Sequence, residues 1–329
     1  MDYFSKGSMA HLAVISILFS GLLYLCIWSP PSFSKSLTNI SIPKDELTIA
    51  LDRASMGNKT VIIAIVNKAY IQRDNLEKTM FDLFLEGFWL GEDTRGLLDH
   101  LLVVAMDQVA YDRCKFLRFH CYRLVTEGVD FREEKIYMSK DFIMVMWKRT
   151  QFLGDVLKHG YNFIFTDTDV MWLRNPFLKL IKDEEAEDDL QISCDGFNGN
   201  SRSEANQINT GFYFIRSNNK TIALFEQWHA MRNDSPGLKE QDVLVNMMHR
   251  GVFRELGLRL RILETVYFSG FCQDSPDFNA VTTVHANCCR GLNAKMADLA
   301  DVLRDWRKFK DSANHTSKWS EHNACIHSW

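Results

Sequence analysis

Residues 161–177 read YNFIFTDTDVMWLRNPF, and they restrict the possible folds more than any other stretch. An apolar β-type run, FIF, leads directly into two carboxylates, Asp167 and Asp169. Such a run is typical of a buried parallel strand, and ligands of open α/β sheets bind at the carboxyl end of such strands. Two acids there suit a hard divalent cation, which in turn suits a phosphorylated substrate. A solvated turn is the alternative, and the apolar residues on both sides of the acids disfavour it.

The rest of the chain alternates between strand-like and helix-like segments. Apolar runs predict strands at 60–66, 100–106, 163–166, 190–193 and 210–215. Helical spacing of apolar residues predicts helices at 71–89, 140–157, 222–231 and 241–248. This order predicts an α/β fold with a mainly parallel sheet and helices on both faces. We interpret the acidic run 183–189 as a solvated loop, and Trp172 as a core residue rather than a sugar platform.

An apolar run at residues 12–28 is long enough to cross a bilayer. No small-residue cleavage site follows it, so the run predicts a transmembrane anchor rather than a removed signal peptide. The predicted order is then a cytosolic tail at 1–11, the anchor at 12–28, a stem at 29–55 and a globular domain at 56–329. The flanking charges do not choose an orientation.

Sequons and cysteines favour a lumenal domain. Potential N-glycosylation sites stand at Asn39, Asn58, Asn219, Asn233 and Asn314, all beyond the apolar run. Seven of the 8 cysteines also lie beyond it, without zinc-type spacing. In an oxidising lumen at least one of these seven stays unpaired. The net charge of −4 and the absence of a basic, aromatic stripe argue against a general nucleic-acid binder.

Several motifs together resemble one enzyme family. They are the TDTDVMWLRNPF block, Cys194-Asp195, Asn209-Thr210-Gly211-Phe212, Glu240-Gln241-Asp242, Phe271-Cys272 and the block from His285 to Cys289. In these the chain is similar to the plant nucleotide-diphospho-sugar transferases of glycosyltransferase family 77, which add arabinose, xylose or galactose. The resemblance implies a single GT-A domain, a UDP-sugar donor, manganese or a similar ion, a retaining reaction and a type II Golgi membrane protein. It also implies a cell-wall glycan or glycoprotein as the acceptor, and no nucleic-acid partner.

The metal site is expected at three side chains. Asp169 would coordinate the ion, and Asp167 would contact it directly, through water, or bind the ribose. His285 is a candidate third ligand, with a buried core histidine as the alternative. Lys295 would meet the diphosphate, because the order His285, Gly291, Lys295 resembles the His-Gly-Lys pattern of related retaining transferases, although the spacing here is longer. A surface lysine is the alternative. Metal bridging of the diphosphate is Lewis-acid catalysis.

The donor nucleotide is expected at the ends of the first two strands. Val66 and Asn67 are placed for the nucleobase, and Asp107 for the ribose or base, although Asn and Asp also favour simple turns. Lys148 or its neighbour Arg149 would contact the pyrophosphate, with a solvated helix face as the alternative.

The transferred sugar is expected near Asn209, Thr210 and Gly211, since Asn and Thr offer neutral hydrogen bonds and Gly permits close backbone approach. Gln241 and Asp242 are the predicted catalytic pair. Gln241 would lie behind the anomeric carbon, and Asp242 would orient a sugar or acceptor hydroxyl. An acid in the first turn of a helix is also favourable by itself.

Two other functions remain open at this point. FIFTDTDV also fits the strand and acid signature of haloacid-dehalogenase phosphohydrolases, but those acids usually lie near the start of the domain. The third possibility is a catalytically inactive glycan-binding or scaffolding protein in the Golgi. Hydrolysis of a nucleotide sugar with and without Mn²⁺ separates the three.

Overall fold

The computed structural model describes residues 45–72, 78–125, 131–180, 188–312 and 318–329. Its strands are β1 (Thr60–Val66), β2 (Leu101–Ala105), β3 (His120–Arg123), β4 (Asn162–Thr166), β5 (Val170–Trp172), β6 (Leu190–Gly196), β7 (Gln207–Ile215), β8 (Leu260–Ile262), β9 (Phe268–Gly270) and β10 (Thr283–His285). Its α-helices are α1 (Glu46–Ala54), α2 (Lys68–Ile71), α3 (Met80–Leu90), α4 (Gln108–Phe116), α5 (Lys140–Lys158), α6 (Phe177–Leu180), α7 (Asn219–Ala230), α8 (Glu240–His249), α9 (Val252–Glu255), α10 (Leu292–Asp311) and α11 (Asn323–Ile326). A 3₁₀ helix, Arg95–His100, precedes β2.

The main sheet has 7 strands in the order β3-β2-β1-β4-β7-β6-β8. β1 pairs in parallel with both β2 and β4. β7 runs antiparallel to its neighbours β4 and β6, and β8 is parallel to β6. The predicted α/β class with a mainly parallel sheet is therefore confirmed.

Both faces of this sheet are buried, as an apolar β1 without polar alternation predicts. Ile62, Ala64 and Val66 face one hydrophobic cluster, which includes residues of α3 and α10. Val61 and Ile63 face a second cluster, which includes residues of α5, α7 and α8. Trp172 belongs to the first cluster and is fully buried, so its interpretation as core is confirmed.

A second sheet of 3 strands, β5-β10-β9, brings a distant segment to the end of β4. β5 begins directly after Asp169, and β10 pairs antiparallel to it with His285 opposite Val170. The backbone N–H of Ala286 donates to the carbonyl of Asp169 at 3.0 Å. Residues more than a hundred positions apart in the sequence thereby share one edge of the fold.

The predicted stem, 29–55, extends too far along the chain. Residues 46–54 form α1, whose apolar face, including Leu47 and Leu51, packs into the second cluster. Asp45–Trp329 forms one compact unit. The rest of the stem, the anchor and the tail lie outside the described residues. Within the described ranges, no helix is long and apolar enough to cross a membrane.

The acidic run 183–189 also needs a correction at its described end. Asp188 and Asp189 are buried, not solvated. Asp188 pairs with Arg202, and Asp189 accepts hydrogen bonds from the backbone N–H of Arg259 and the side chain of Asn218. These partners satisfy carboxylates that could not otherwise be buried.

Three disulfides are present in the described part, and sequence alone does not give their pairing. They join Cys114 to Cys121, Cys272 to Cys288 and Cys289 to Cys325. Cys194 is buried and free, which confirms that one of the seven cysteines stays unpaired.

Candidate active site

A cavity of about 310 Å³ opens at the carboxyl ends of β1 and β4. This volume lies within the range of small-molecule pockets. Val66 and Asn67 line it on the β1 side, and Asn209, Thr210 and Gly211 line it on the β7 side. Between them lie Asp167 and Asp169, directly after β4. The strand order therefore collects residues from distant parts of the chain in one cavity.

Asp167, Asp169 and His285 form a compact cluster of potential metal ligands. One atom from each lies within 4.8 Å of the others. Nε2 of His285 is 3.4 Å from Oδ1 of Asp169, and both side chains are buried. Two carboxylates and one imidazole suit a divalent cation such as Mn²⁺. The donor set therefore fits the predicted metal site.

Lys295 supplies a positive charge at the same place. Its Nζ lies 2.6 Å from Oδ2 of Asp169. Burial alone would raise the pKa of Asp169, but Lys295 and His285 outweigh it and hold that pKa well below its usual range. Burial and the Asp169 carboxylate raise the pKa of Asp167, although Arg149 opposes the shift. Burial alone would lower the pKa of His285, but the nearby Asp169 carboxylate outweighs burial and raises it. A metal ion would therefore compete with the Lys295 ammonium for Asp169 and with a proton for the His285 imidazole.

A glycine is needed at position 211 because there is no room for a side chain, and not because of its backbone angles. An added Cβ would lie 2.4 Å from Cε1 of His285 and 2.8 Å from Oδ2 of Asp167. The carbonyl of Gly211 accepts from the N–H of Asp167 at 2.7 Å. Moving the two backbones apart to make room for a side chain would break this hydrogen bond. Glycine here leaves the room that the three potential ligands need.

We expect Gly211→Ala to weaken the predicted Mn²⁺-dependent binding of UDP by about ten- to hundredfold, because the new methyl group displaces potential ligands. The matched control is Gly196→Ala, where the nearest neighbouring atom is 3.9 Å from the added Cβ. Titration calorimetry with UDP and Mn²⁺ measures both variants. Equal affinities for the two would contradict this role of Gly211.

A buried ionic network lies beside the metal ligands. The Arg149 guanidinium contacts Oδ1 of Asp167 at 2.9 Å and Oε1 of Glu240 at 2.5 Å. The hydroxyl of Thr210 donates to the same Glu240 oxygen at 2.9 Å. Burial alone would lower the pKa of Arg149, but Glu240 and Asp167 outweigh it, so the guanidinium stays charged. The network therefore holds the Asp167 carboxylate in place in the wall of the cavity.

Gln241 is tied to the same network. Its side-chain carbonyl accepts from the backbone N–H of Thr210 at 3.1 Å, and this leaves its amide group for other partners. A second polar group stands nearby: Oδ1 of Asp195 accepts from Asn209 at 2.8 Å and from Asn287 at 2.7 Å. Both Asp195 and Asn287 line the cavity. The β7 side of the cavity thus presents oriented amides and a carboxylate, groups that suit sugar hydroxyls.

Residues 96–299 match the nucleotide-diphospho-sugar transferase family. The match covers more than half of the chain and includes both aspartates, Gln241, His285 and Lys295. The chain belongs to this family. The predicted family and enzyme class are therefore confirmed.

Individual relatives are similar to this transferase to different extents. An Arabidopsis thaliana protein described as uncharacterized is 53% identical over 321 residues, which cover 97% of this chain and 94% of the relative. A beta-arabinofuranosyltransferase of Arabidopsis thaliana is 28% identical over 223 residues, 63% of this chain and 38% of that enzyme. A solved glycosyltransferase involved in the glycosylation of the major capsid of PBCV-1 superposes with a TM-score of 0.42 at 12% identity, covering 73% of this chain and 98% of that one.

Most of the predicted site residues line the cavity of the transferase. Each of these residues lies at the end of a strand or on a segment that packs beside the end of a strand. They are Val66, Asn67, Asp167, Asp169, Asn209, Thr210, Gly211, Gln241, His285 and Lys295. Asn67 is also engaged locally, since its amide donates to the carbonyl of Phe131 at 2.7 Å and its oxygen accepts from the N–H of Tyr70. Their predicted contacts with donor and metal stay predictions.

Asp107, Lys148 and Asp242 do not line this cavity in the described part of the chain. The Asp107 carboxylate accepts from the N–H groups of Lys68 and Ala110, so it is the turn and cap residue that its alternative interpretation describes. Nζ of the half-buried Lys148 donates to the side chain of the exposed Gln151 on α5. Asp242 is half-buried in the first turn of α8. Their predicted contacts with ribose, pyrophosphate and acceptor stay predictions, and the cavity lining does not support them.

Sequence reasoning missed Glu240 and left Arg149 undecided. From the sequence, Glu240 has only the pattern of an acid that is favoured at the start of a helix. In the structure it is only 1% exposed and pairs with Arg149. Tyr70, which lines the cavity, was also missed, and burial raises its pKa to about 12. A buried ion pair between residues 91 positions apart leaves no pattern in one sequence.

Proposed function

We propose that this transferase is metal-dependent and retaining, and that it moves arabinose, xylose or galactose from a UDP-sugar to a glycan or glycoprotein, as in plant cell walls. The observation that carries the proposal is the meeting of Asp167, Asp169 and His285 within 4.8 Å at the carboxyl end of β4. The similarity to a beta-arabinofuranosyltransferase supports a pentose donor. A GT-A type of fold belongs to the same proposal.

A bound divalent ion would supply Lewis acidity toward the diphosphate. Lys295, which pairs with Asp169 in this structure, would bind the departing nucleotide as a point charge. Arg149 donates a hydrogen bond to Asp167. On the β7 side of the cavity, where the sugar is expected, the backbone N–H of Thr210 donates to the side chain of Gln241. The acceptor hydroxyl would attack on the face from which the nucleotide leaves.

His285 tests the metal site directly. We expect His285→Ala to weaken UDP binding in the presence of Mn²⁺ by about tenfold or more, because one of three potential ligands is lost. Calorimetry with and without Mn²⁺, beside a melting curve, measures affinity and stability separately. A strongly lowered melting temperature with unchanged metal dependence would instead make His285 a core residue.

Turnover decides between the remaining functions. UDP-arabinose, UDP-xylose and UDP-galactose are each incubated with the protein and Mn²⁺, and released UDP is measured. Release of inorganic phosphate would indicate a phosphohydrolase. The family assignment disfavours that function. Binding of UDP without any turnover would support the inactive glycan-binding alternative.

We also propose a Golgi membrane protein with a single anchor at 12–28 and its catalytic domain in the lumen. Exposed sequon asparagines at Asn58, Asn219 and Asn233 support this, as do the three disulfides, which persist in oxidising compartments. We expect glycosidase treatment of the protein made in a eukaryotic secretory system to increase its gel mobility. No change in mobility, with protease sensitivity in sealed vesicles, would place the domain in the cytosol.

A further inference from the structure

Four residues form a cationic and aromatic group in the wall of the cavity, here called the rim cluster: Tyr137, Lys239, Arg290 and Trp329. The Arg290 guanidinium lies 3.9 Å from the ring centre of Trp329 and 5.1 Å from that of Tyr137. Nζ of Lys239 lies 5.4 Å from the same Tyr137 ring. Trp329 is 67% exposed and Tyr137 is 42% exposed. The rim cluster therefore offers two aromatic rings and two cations to solvent.

The rim cluster is held in place although it is exposed. The indole N–H of Trp329 donates to the carbonyl of Cys288 at 3.2 Å. The backbone N–H of Arg290 donates to Ser328 at 2.8 Å, and the disulfide between Cys289 and Cys325 joins the same two segments. An exposed tryptophan fixed in this way contributes little to the core, but it gives a preorganised surface for a ligand.

The two rim cations differ from the cations deeper in the cavity. Arg149 pairs with Asp167 and Glu240, and Lys295 pairs with Asp169. Among the described residues, neither Lys239 nor Arg290 has a carboxylate within ion-pair distance. An anion from outside the chain can therefore bind them without breaking an internal ion pair.

The position of the rim cluster favours the acceptor over the donor nucleotide. Lys239 directly precedes Glu240 and Gln241, which contact Thr210 on β7. The predicted nucleotide side of the cavity, at Val66 and Asn67, is at the end of β1, on the opposite side of β4 from β7. A cation is already present for the diphosphate, since Lys295 lies beside Asp169.

We propose that the rim cluster is an acceptor subsite for an acidic glycan, one that carries the carboxylate of a uronic acid. Arg290 would bind the carboxylate with its planar pair of N–H donors, and Lys239 would add a second charge. The faces of the Trp329 and Tyr137 rings would cover apolar faces of the sugar. This inference rests on the proposed function, because it names the acceptor class of that transfer.

The test measures binding of a trigalacturonate and of its methyl ester, without donor or metal. We expect the wild-type protein to prefer the acid. The double substitution Lys239→Gln/Arg290→Gln should weaken binding of the acid by about tenfold or more, since charge-assisted hydrogen bonds are lost, and should change binding of the ester much less. Trp329→Ala should weaken both ligands, because ring contacts do not depend on charge.

Lys115→Gln on α4 is the matched control, because it removes an exposed cation outside the cavity wall. The proposal is overturned if the wild-type protein binds acid and ester equally, or if the double variant keeps the preference for the acid. UDP affinity with Mn²⁺ is measured on the same proteins. An equally large loss of UDP affinity in the double variant would assign these cations to the donor and also overturn the proposal. A failure of UDP binding in the wild-type protein would instead count against the proposed function alone.

Discussion

Asp169→Asn is expected to lower the rate of sugar transfer by about a thousandfold, since metal-ion stabilisation of developing charge is worth several kcal/mol. The Asp169 carboxylate is 4% exposed and faces His285 with one oxygen and Lys295 with the other. An asparagine of the same shape can accept from the Lys295 ammonium with its oxygen and offer its amide N–H to Nε2 of His285, but it loses the negative charge. Alanine would also leave a cavity beside His285 and Lys295 and remove the partner of the Lys295 ammonium, so asparagine gives the clearer test.

The measurement is the initial rate of transfer across a Mn²⁺ titration, with circular dichroism and a melting curve for the same sample. Lys115→Gln is the control for removing one charged group from the domain, because it is exposed and outside the cavity wall. If Asp169→Asn folds normally and retains the wild-type rate at saturating Mn²⁺, the carboxylate has no role in the reaction. A rate restored only at much higher Mn²⁺ would show that the change acts through metal affinity.

The fold could be predicted largely from sequence because its signals are local. The apolar runs at β1, β2 and β4 and the helical spacing in α5 each lie within one segment, and the structure has these elements within a few residues of the prediction. The same locality explains the errors. Leu47 and Leu51 lie in a short helix with a mixed sequence, so only its packing reveals that α1 belongs to the domain.

The site could be predicted only in part. Asp167 and Asp169 adjoin a clear strand, so their position follows from the sheet. His285 and Lys295 came from the family resemblance, because the pairing of β10 with β5 that brings them to Asp169 has no sequence signal. Asp107 shows the limit of such local patterns. A strand-end acid that caps the next helix has the same local pattern as one that binds a ligand.

Arg149→Met is expected to lower the free energy of unfolding by about 3–5 kcal/mol, because it leaves the carboxylate of Glu240 buried without its counter-charge. Glu240 is 1% exposed, and its second oxygen already has no hydrogen-bond partner among the described residues. The contrast is Lys158→Met, on the same helix α5. Lys158 pairs with Glu226 at 3.0 Å, but both side chains are about half exposed. Loss of that surface pair should cost about 1 kcal/mol or less.

The double variant Arg149→Met/Glu240→Gln separates lost packing from uncompensated charge. Removing both charges should recover much of the stability that Arg149→Met loses, because the introduced glutamine is neutral and its side-chain oxygen can still accept from Thr210. Urea denaturation of the wild-type protein, both single variants and the double variant gives the coupling energy. Additive losses would show that Arg149 and Glu240 act independently. Recovered stability without recovered UDP binding would show that Arg149 is needed to hold Asp167 as well as to neutralise Glu240, since the double variant has lost the 2.9 Å contact to that carboxylate.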